Sequence, residues 1–293
     1  MINRSTAVCF GEVLWDSTPK GLFLGGAPTN AAYHLHRLGV ESLPATAVGN
    51  DFLGTEVRRR LDAWGVSTEL VATVENKATG VVQVDLSAPS NPTYEIVDDV
   101  AWDYIPDTSE LRRRSLATDV FIFGSLALRH ASNQELLASL LPSIAGMKVF
   151  DVNLRAPFYA IDRVYALAQN ADLVKVNEDE LSVIHPFGVG DVELMAATFS
   201  MTVGNAAVCV TCGSSGAGLW RGGKWHWSEA RSIETKGDAV GAGDAFLAAL
   251  VSALLAGISD GEAIERACRL AELVASSDGA QPFYDPSTIF PDS

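Results

Sequence analysis

Gly237-Asp238-Ala239-Val240-Gly241-Ala242-Gly243-Asp244-Ala245-Phe246 is the stretch that decides how the rest of the chain is read. Three small residues, Gly241, Ala242 and Gly243, stand immediately before an acid, Asp244, and an apolar, alanine-rich segment, 245–256, follows. Small residues let a backbone approach a ligand closely and present its N–H groups. The segment after them reads as a buried helix, whose first turn adds free N–H groups and the positive end of the macrodipole. The stretch therefore predicts an anion cradle with a carboxylate beside it. That pairing suits phosphoryl transfer: amides hold the charge that develops, and the carboxylate takes the proton of an attacking hydroxyl. A glycine-rich turn capping an ordinary helix accounts for the same letters and stays open at this point.

Working outward, short apolar bursts alternate with segments of helical spacing. Ala7-Val8-Cys9-Phe10 ends at Gly11 and predicts a first strand. Ala31, Ala32, Leu35 and Leu38 recur at helical spacing over 29–38, and Gly39 is placed to end that helix. Thr46-Ala47-Val48 predicts another strand, followed by a helix to about Trp64, with Gly49-Asn50-Asp51 as its turn and cap. Residues 120–123, 149–152, 173–176 and 206–211 are further bursts of strand length. Helices between such strands imply a parallel, doubly wound α/β sheet, in which ligands bind at the carboxyl ends of strands. Asp151, Asn153, Asn177 and Gly213 fall at those ends. The exception is 79–104, where Val82, Val84 and Leu86 alternate with Gln83 and Asp85 and a Pro-containing turn follows. It reads as an antiparallel hairpin inserted into the α/β pattern, either a lid or an edge. No repeat or inter-domain linker is visible, so 1–293 reads as one domain.

The chain has 293 residues, 48% of them hydrophobic and 19% charged, with a net charge of −15. The composition supports a sizeable core. The acidic balance argues against nucleic acid as a partner, since phosphate backbones need a basic face. An acidic protein still binds a nucleotide where amides, a few cations and Mg²⁺ supply the positive field. Residues 1–10 carry no signal-peptide pattern, and the apolar run 245–258 is short and alanine-rich for a membrane span, so a cytoplasmic protein with no membrane partner is expected. Cys209 and Cys212 sit three apart in and just after a predicted strand, so they point to opposite faces and read as core. Two other phosphate patterns fail: a dinucleotide fingerprint needs Gly where Phe246 stands, and Gly218-x-x-x-x-Gly223-Lys224 is followed by Trp225 where a P-loop needs Ser or Thr.

Asp238-x-x-Gly241-Ala242-Gly243-Asp244 resembles the C-terminal signature of the ribokinase-like (PfkB) sugar kinases, with Ala239 where Thr is usual. Other motifs of that family follow in its order. Gly25-Gly26-Ala27-Pro28-Thr29-Asn30 resembles its N-terminal signature, and Gly11-Glu12-Val13-Leu14-Trp15-Asp16 the turn before it. Asp151-Val152-Asn153-Leu154-Arg155 is similar to the strand-end motif of the fructokinases. Asn177-x-x-Glu180 and Thr211-Cys212-Gly213-Ser214-Ser215-Gly216 resemble the nucleotide side.

The resemblance implies a ribokinase-like fold whose small β-sheet, about 12–24 and 79–104, closes over the sugar and often mediates dimerisation. It implies an ATP-dependent hexose kinase, closest to the fructokinases. Asp244 would be the catalytic base, and Gly241, Ala242 and Gly243 the anion hole. Asp16, Gly25, Gly26, Asn30 and Arg155 would bind the sugar. Asn177, Thr211, Gly213 and Gly216 would bind the nucleotide, Glu180 would hold Mg²⁺ through water, and Asp238 a monovalent cation such as K⁺. Each motif has a plainer reading beside it: a solvated loop acid for Asp16, a salt bridge to Asp151 for Arg155, a helix N-terminus for 177–180. A same-fold kinase for ribose, a nucleoside or a keto-deoxy sugar acid, and a weakly catalytic sensor on this scaffold, also stay open.

Overall fold

The computed structural model describes residues 4–18, 21–85, 93–185, 190–231 and 240–290. Nine strands make the main sheet, in the order β13-β12-β11-β10-β9-β8-β1-β4-β5. They are β1 (Thr6–Phe10), β4 (Glu41–Gly49), β5 (Val71–Val74), β8 (Val120–Gly124), β9 (Met147–Asp151), β10 (Leu173–Asn177), β11 (Ala207–Thr211), β12 (Gly216–Arg221) and β13 (Lys224–Glu229). The strands from β5 to β11 are parallel, and β12 and β13 form an antiparallel edge. The edge hairpin turns at Gly222-Gly223, both at positive φ.

Alternation along each strand decides which face it feeds. On β1, Ala7 and Cys9 join one core, while Val8 and Phe10 join the other. The first core is closed by α1 (Ala27–Arg37), α2 (Phe52–Trp64), α8 (Ala242–Leu255) and α9 (Asp260–Ala275). The second is closed by α3 (Ser109–Ala117), α4 (Ala131–Leu140), α5 (Ile161–Ala168), α6 (Glu178–Ile184) and α7 (Val192–Thr202). A short α10 (Pro286–Ile289) follows. Helices on both faces of a parallel sheet are the doubly wound arrangement that the alternation in the sequence implied. Cys209 and Cys212 are buried with free thiols, Cys209 in the first core and Cys212 in the second, which bears out the core reading.

A second sheet, in the order β3-β2-β6-β7, is built from β2 (Leu14–Thr18), β3 (Gly21–Gly25), β6 (Gly80–Asp85) and β7 (Thr93–Ile96). The hairpin expected over 79–104 is β6 and β7, and its strands end at Ile96. Residues Ala101–Tyr104 instead form a 3-10 turn whose Trp102 is fully buried, so this end of the segment belongs to the body of the protein. Asp16 is not a loop acid: it lies within β2, opposite Phe23 of β3. Among the described residues no helix is long and apolar enough to cross a membrane.

Candidate active site

The parity that separates the two cores also assembles the site. Val149 of β9 and Leu173 of β10 face the α8 side, so Asp151 and Lys175, two residues further along each strand, face it too. The parallel register sets Lys175 directly beside Asp151, and the two form a buried ion pair of 3.0 Å. By the same count Asn177 and Thr211, register partners at the ends of β10 and β11, share that face.

α8 begins above them. Its N-cap, Gly241, has φ 80° and ψ −5°, a left-handed conformation that favours glycine, and an added Cβ would overlap Ala280. No described side chain caps the helix, and the first intrahelical bond runs from Ala245 N to Gly241 O. The N–H groups of Ala242, Gly243 and Asp244 are therefore left without an intrahelical acceptor. Gly243 is exposed, and a Cβ on it would lie 3.2 Å from Lys175 Nζ. The ammonium of Lys175 thus sits directly beneath the open turn.

Asp244 projects from this first turn. Its Oδ2 accepts a 2.7 Å hydrogen bond from Asn30 Nδ2 on α1. Part of its surface stays open, yet it lies deep among protein atoms, and that desolvation pushes its pKa up to about 7. Asp151 and Glu12 add to the rise, while Lys175 and the Asn30 bond oppose it. Burial alone would discharge Lys175, but Asp151, Asp244 and Glu180 outweigh it and hold the ammonium above its ordinary pKa. Glu12 is buried and also shifted upward by desolvation. One of its oxygens accepts from Ala27 N at 3.2 Å, while the other, Oε2, has no partner among the described residues.

The expected sugar-side residues converge near Asp244 by a short chain of contacts. Asn30 is buried, and its Oδ1 accepts from Gln281, which also donates to Leu24 O at 2.8 Å, one residue before Gly25. Gly26 has φ 103°, and a Cβ there would strike Glu12 O, so the turn at 12 and the turn at 26 pack backbone to backbone. A Cβ on Gly25 would overlap the carboxylate of Asp16, which places Asp16 over the glycine pair. Arg155 is exposed and donates to Leu154 O at 3.0 Å. The salt bridge weighed for it with Asp151 is absent, because Lys175 occupies that carboxylate. The positive field of Arg155 falls instead on Glu12.

On the other side, Asn177 and Glu180 form a reciprocal capping box at α6: Glu180 N donates to Asn177 Oδ1 at 2.7 Å and Asn177 N to Glu180 Oε2 at 3.0 Å. Glu180 Oε1 accepts from Leu154 N at 2.7 Å. The cap geometry weighed for this motif is real, and both carboxylate oxygens already hold one N–H. Among the described residues no three acidic, His or Cys groups are arranged to hold a metal ion. With both Glu180 oxygens engaged, this donor set would fit a Mg²⁺ only if phosphates and water supplied most of its ligands. Gly213 is exposed at the end of β11, whereas Gly216 is buried in β12 with no room for a Cβ against Ser228 O, a packing reason for that glycine. Asp238 lies outside the described residues. Lys175, Glu12 and Gln281 were missed as site residues, although the alternation on β10 carried enough signal to put Lys175 on the Asp151 face.

A family model described as pfkB family carbohydrate kinase matches residues 16–286. A Pyrococcus horikoshii protein named as a putative sugar kinase is 29% identical over 249 residues, 79% of this chain and 73% of the relative. The crystal structure of an uncharacterized sugar kinase from that organism in complex with ATP superposes with a TM-score of 0.76 at 26% identity, over 94% of this chain and 93% of the other. The fructokinase of Escherichia coli is 27% identical over 270 residues, 87% of each chain. The fructokinase of Xylella fastidiosa with bound ATP has a TM-score of 0.85 at 17% identity over 99% of both chains, a likeness of fold. Matched by the family model over residues 16–286, nearly its whole length, the chain belongs to the pfkB family of carbohydrate kinases and is a sugar phosphotransferase.

Proposed function

We propose that the protein transfers the γ-phosphoryl group of ATP to a primary hydroxyl of a hexose, fructose first among the candidates. The observation that carries this reading is the carboxylate of Asp244 standing in the first turn of an uncapped α8, held by Asn30. The fructokinases among the relatives, 26–28% identical, support the choice of sugar.

In this reading the sugar lies between the glycine pair Gly25-Gly26 and the β2-β3-β6-β7 sheet. Asp16 and Asn30 engage its hydroxyls, and Arg155 reaches in from the exposed rim. Asp244 Oδ takes the proton of the attacking hydroxyl as the oxygen advances on the phosphorus. The amides of Gly241, Ala242 and Gly243 receive the charge that develops, in line with the positive end of α8 and with Lys175 beneath them. Asn177, Thr211, Gly213 and Gly216 form the nucleotide side. Mg²⁺ carried on the phosphates, with Glu180 reached through water, neutralises their charge when bound. Closure of the small sheet excludes water from the reaction. Asp238 is the proposed ligand of a monovalent cation. The exposed Leu22 and Phe23 of β3 mark the small sheet as the proposed dimer surface; a monomeric mass in solution would remove that surface from the account.

A coupled ADP-release assay over fructose, glucose, ribose, adenosine and keto-deoxy sugar acids, with Mg²⁺ and with or without K⁺, tests the reading. Fructose is expected to give the highest kcat/KM. Asp244→Asn is expected to cut kcat by about 10² or more, the usual scale for losing a general base. Near-normal turnover by that variant refutes the role of Asp244, and a flat response to every sugar refutes the activity.

A further inference from the structure

Residues 280–284, which follow α9 after a turn over 276–279, run across α1, beside the glycine turn that opens α8. Four α1 side chains bind this strap: Asn30, which meets Gln281, and Tyr33, His34 and Arg37. Tyr33 Oη donates to Pro282 O at 2.8 Å, and Arg37 donates to Tyr284 O. His34 is fully buried and bridges Ala280 O at 2.9 Å and Tyr284 Oη at 3.0 Å. A carbonyl only accepts, so Nε2 of His34 carries the proton and Nδ1 accepts from the tyrosine. Burial pushes the His34 pKa down to about 4, so the ring stays neutral and keeps that tautomer near neutral pH. Ala280 fills the space that a side chain on Gly241 would need. The strap therefore has a fixed place against both α1 and the α8 turn.

From this place Gln281 spends both protons of its amide nitrogen inward, one on Leu24 O at 2.8 Å and one on Asn30 Oδ1. With its oxygen engaged, the Asn30 amide has one orientation, and its nitrogen faces Asp244 Oδ2 at 2.7 Å. The order of groups is thus Leu24 carbonyl, Gln281 amide, Asn30 amide, Asp244 carboxylate. It joins the end of β3 to the first turn of α8.

We propose that Gln281 is a positioning residue for Asp244: acting through the Asn30 amide, it aims the carboxylate and registers the end of β3 against it. The proposal rests on Asp244 being the base. Gln281 touches neither the carboxylate nor the anion-binding amides, so it works only by fixing Asn30. Gln281→Glu keeps the shape and reverses the polarity. A carboxylate there accepts the Asn30 nitrogen and competes with Asp244 for it, while Leu24 O loses its donor. Gln281→Leu removes the donor without adding a charge.

The test is a kinetic series on the full chain: wild type, Gln281→Glu, Gln281→Leu, Tyr33→Phe and Asp244→Asn, each with kcat, KM for sugar, the pH profile of kcat/KM, and Tm. Misaiming a reacting group by about 1 Å costs on the order of 10²-fold. Gln281→Glu is expected to lower kcat by about 10- to 100-fold and to move the acidic limb of the pH profile upward, as Asp244 loses its donor. Tyr33→Phe loosens the strap without touching Asn30, so it is expected to lower Tm and leave the limb in place. Wild-type kcat and an unmoved limb in Gln281→Glu would overturn the proposal. So would a limb in Tyr33→Phe that moves as far as in Gln281→Glu, since the effect would then be general loosening. Should Gln281→Leu fail to fold, Gln281→Glu decides alone. An inactive Asp244→Asn beside an unchanged Gln281→Glu rejects the positioning role and keeps the base, whereas an active Asp244→Asn rejects both.

Discussion

At the scale of single residues, the site is a crowded set of acids arranged around one ammonium. Asp151, Glu180 and Asp244 all act on Lys175, and Asp151 and Glu12 both hinder ionisation of Asp244. A proton acceptor is useful where its pKa lies near the working pH, and desolvation with like charge brings Asp244 to about 7. In its proposed role as base Asp244 must be ionised, so kcat/KM is expected to rise with pH through about 7. Asp151→Asn removes a like charge, which makes Asp244 easier to ionise, and the limb is expected to move to lower pH. Lys175 loses its 3.0 Å ion pair in that variant and keeps only the more distant charges of Asp244 and Glu180, so a lower Tm is expected beside the shifted limb. A pH–rate profile that stays in place, or moves upward, contradicts this electrostatic account. The glycine turn with Asp244 in the first turn of α8 was legible in the sequence because the pattern is local, an acid directly after small residues. The partner of Asp151 was not, because Arg155 is its sequence neighbour while Lys175 reaches it only through strand register.

At the scale of elements, α2 shows how one cap joins two parts of the fold. Asp51 Oδ1 accepts from Gly54 N and from Thr79 Oγ1, each at 2.7 Å, and its Oδ2 accepts from Thr79 N at 2.8 Å. The turn-and-cap reading of 49–54 is borne out, and the cap also anchors the entry to β6. Burial would raise the Asp51 pKa, but the bonds from Thr79 and Gly54 outweigh it and hold it below the ordinary value. Asp51→Ala is expected to cost about 1–3 kcal/mol, from the lost cap and the orphaned Thr79. A urea titration reads that cost as a lower midpoint. The contribution is present above the unfolded-state pKa of the acid and fades as pH falls through the folded value. An unchanged midpoint at pH 7 shows that the cap carries no weight. The strands of the main sheet were legible because each is a short apolar burst bounded by turns. Residues 12–24 were placed in the small sheet by the family resemblance rather than by their own pattern, since Leu14–Thr18 alternates weakly and finds its place by pairing with β6.

At the scale of the whole molecule, the nine-stranded sheet acts as a ruler. Its parallel strands end at one edge, where Asp151, Asn177 and Thr211 stand on adjacent strands facing α8. The chain passes between the main body and the small sheet at four places: residues 11–13 into β2, the Gly25-Gly26 turn into α1, the Thr79-Gly80 entry into β6, and residues 97–100 after β7. In the proposed function, closing or opening of this sheet would change access to Asp244. The doubly wound class followed from the order of elements alone, whereas the link from Leu24 through Gln281 and Asn30 to Asp244 spans more than 200 residues of sequence and exists only in the fold.

The most direct measurement is a crystal structure of the full chain with fructose and a non-hydrolysable ATP analogue. The account predicts a primary hydroxyl within hydrogen-bonding reach of Asp244, roughly 2.6–3.2 Å, with the γ-phosphate against the amides of 241–243. A sugar seated elsewhere, or phosphates that leave the first turn of α8 empty, contradicts it.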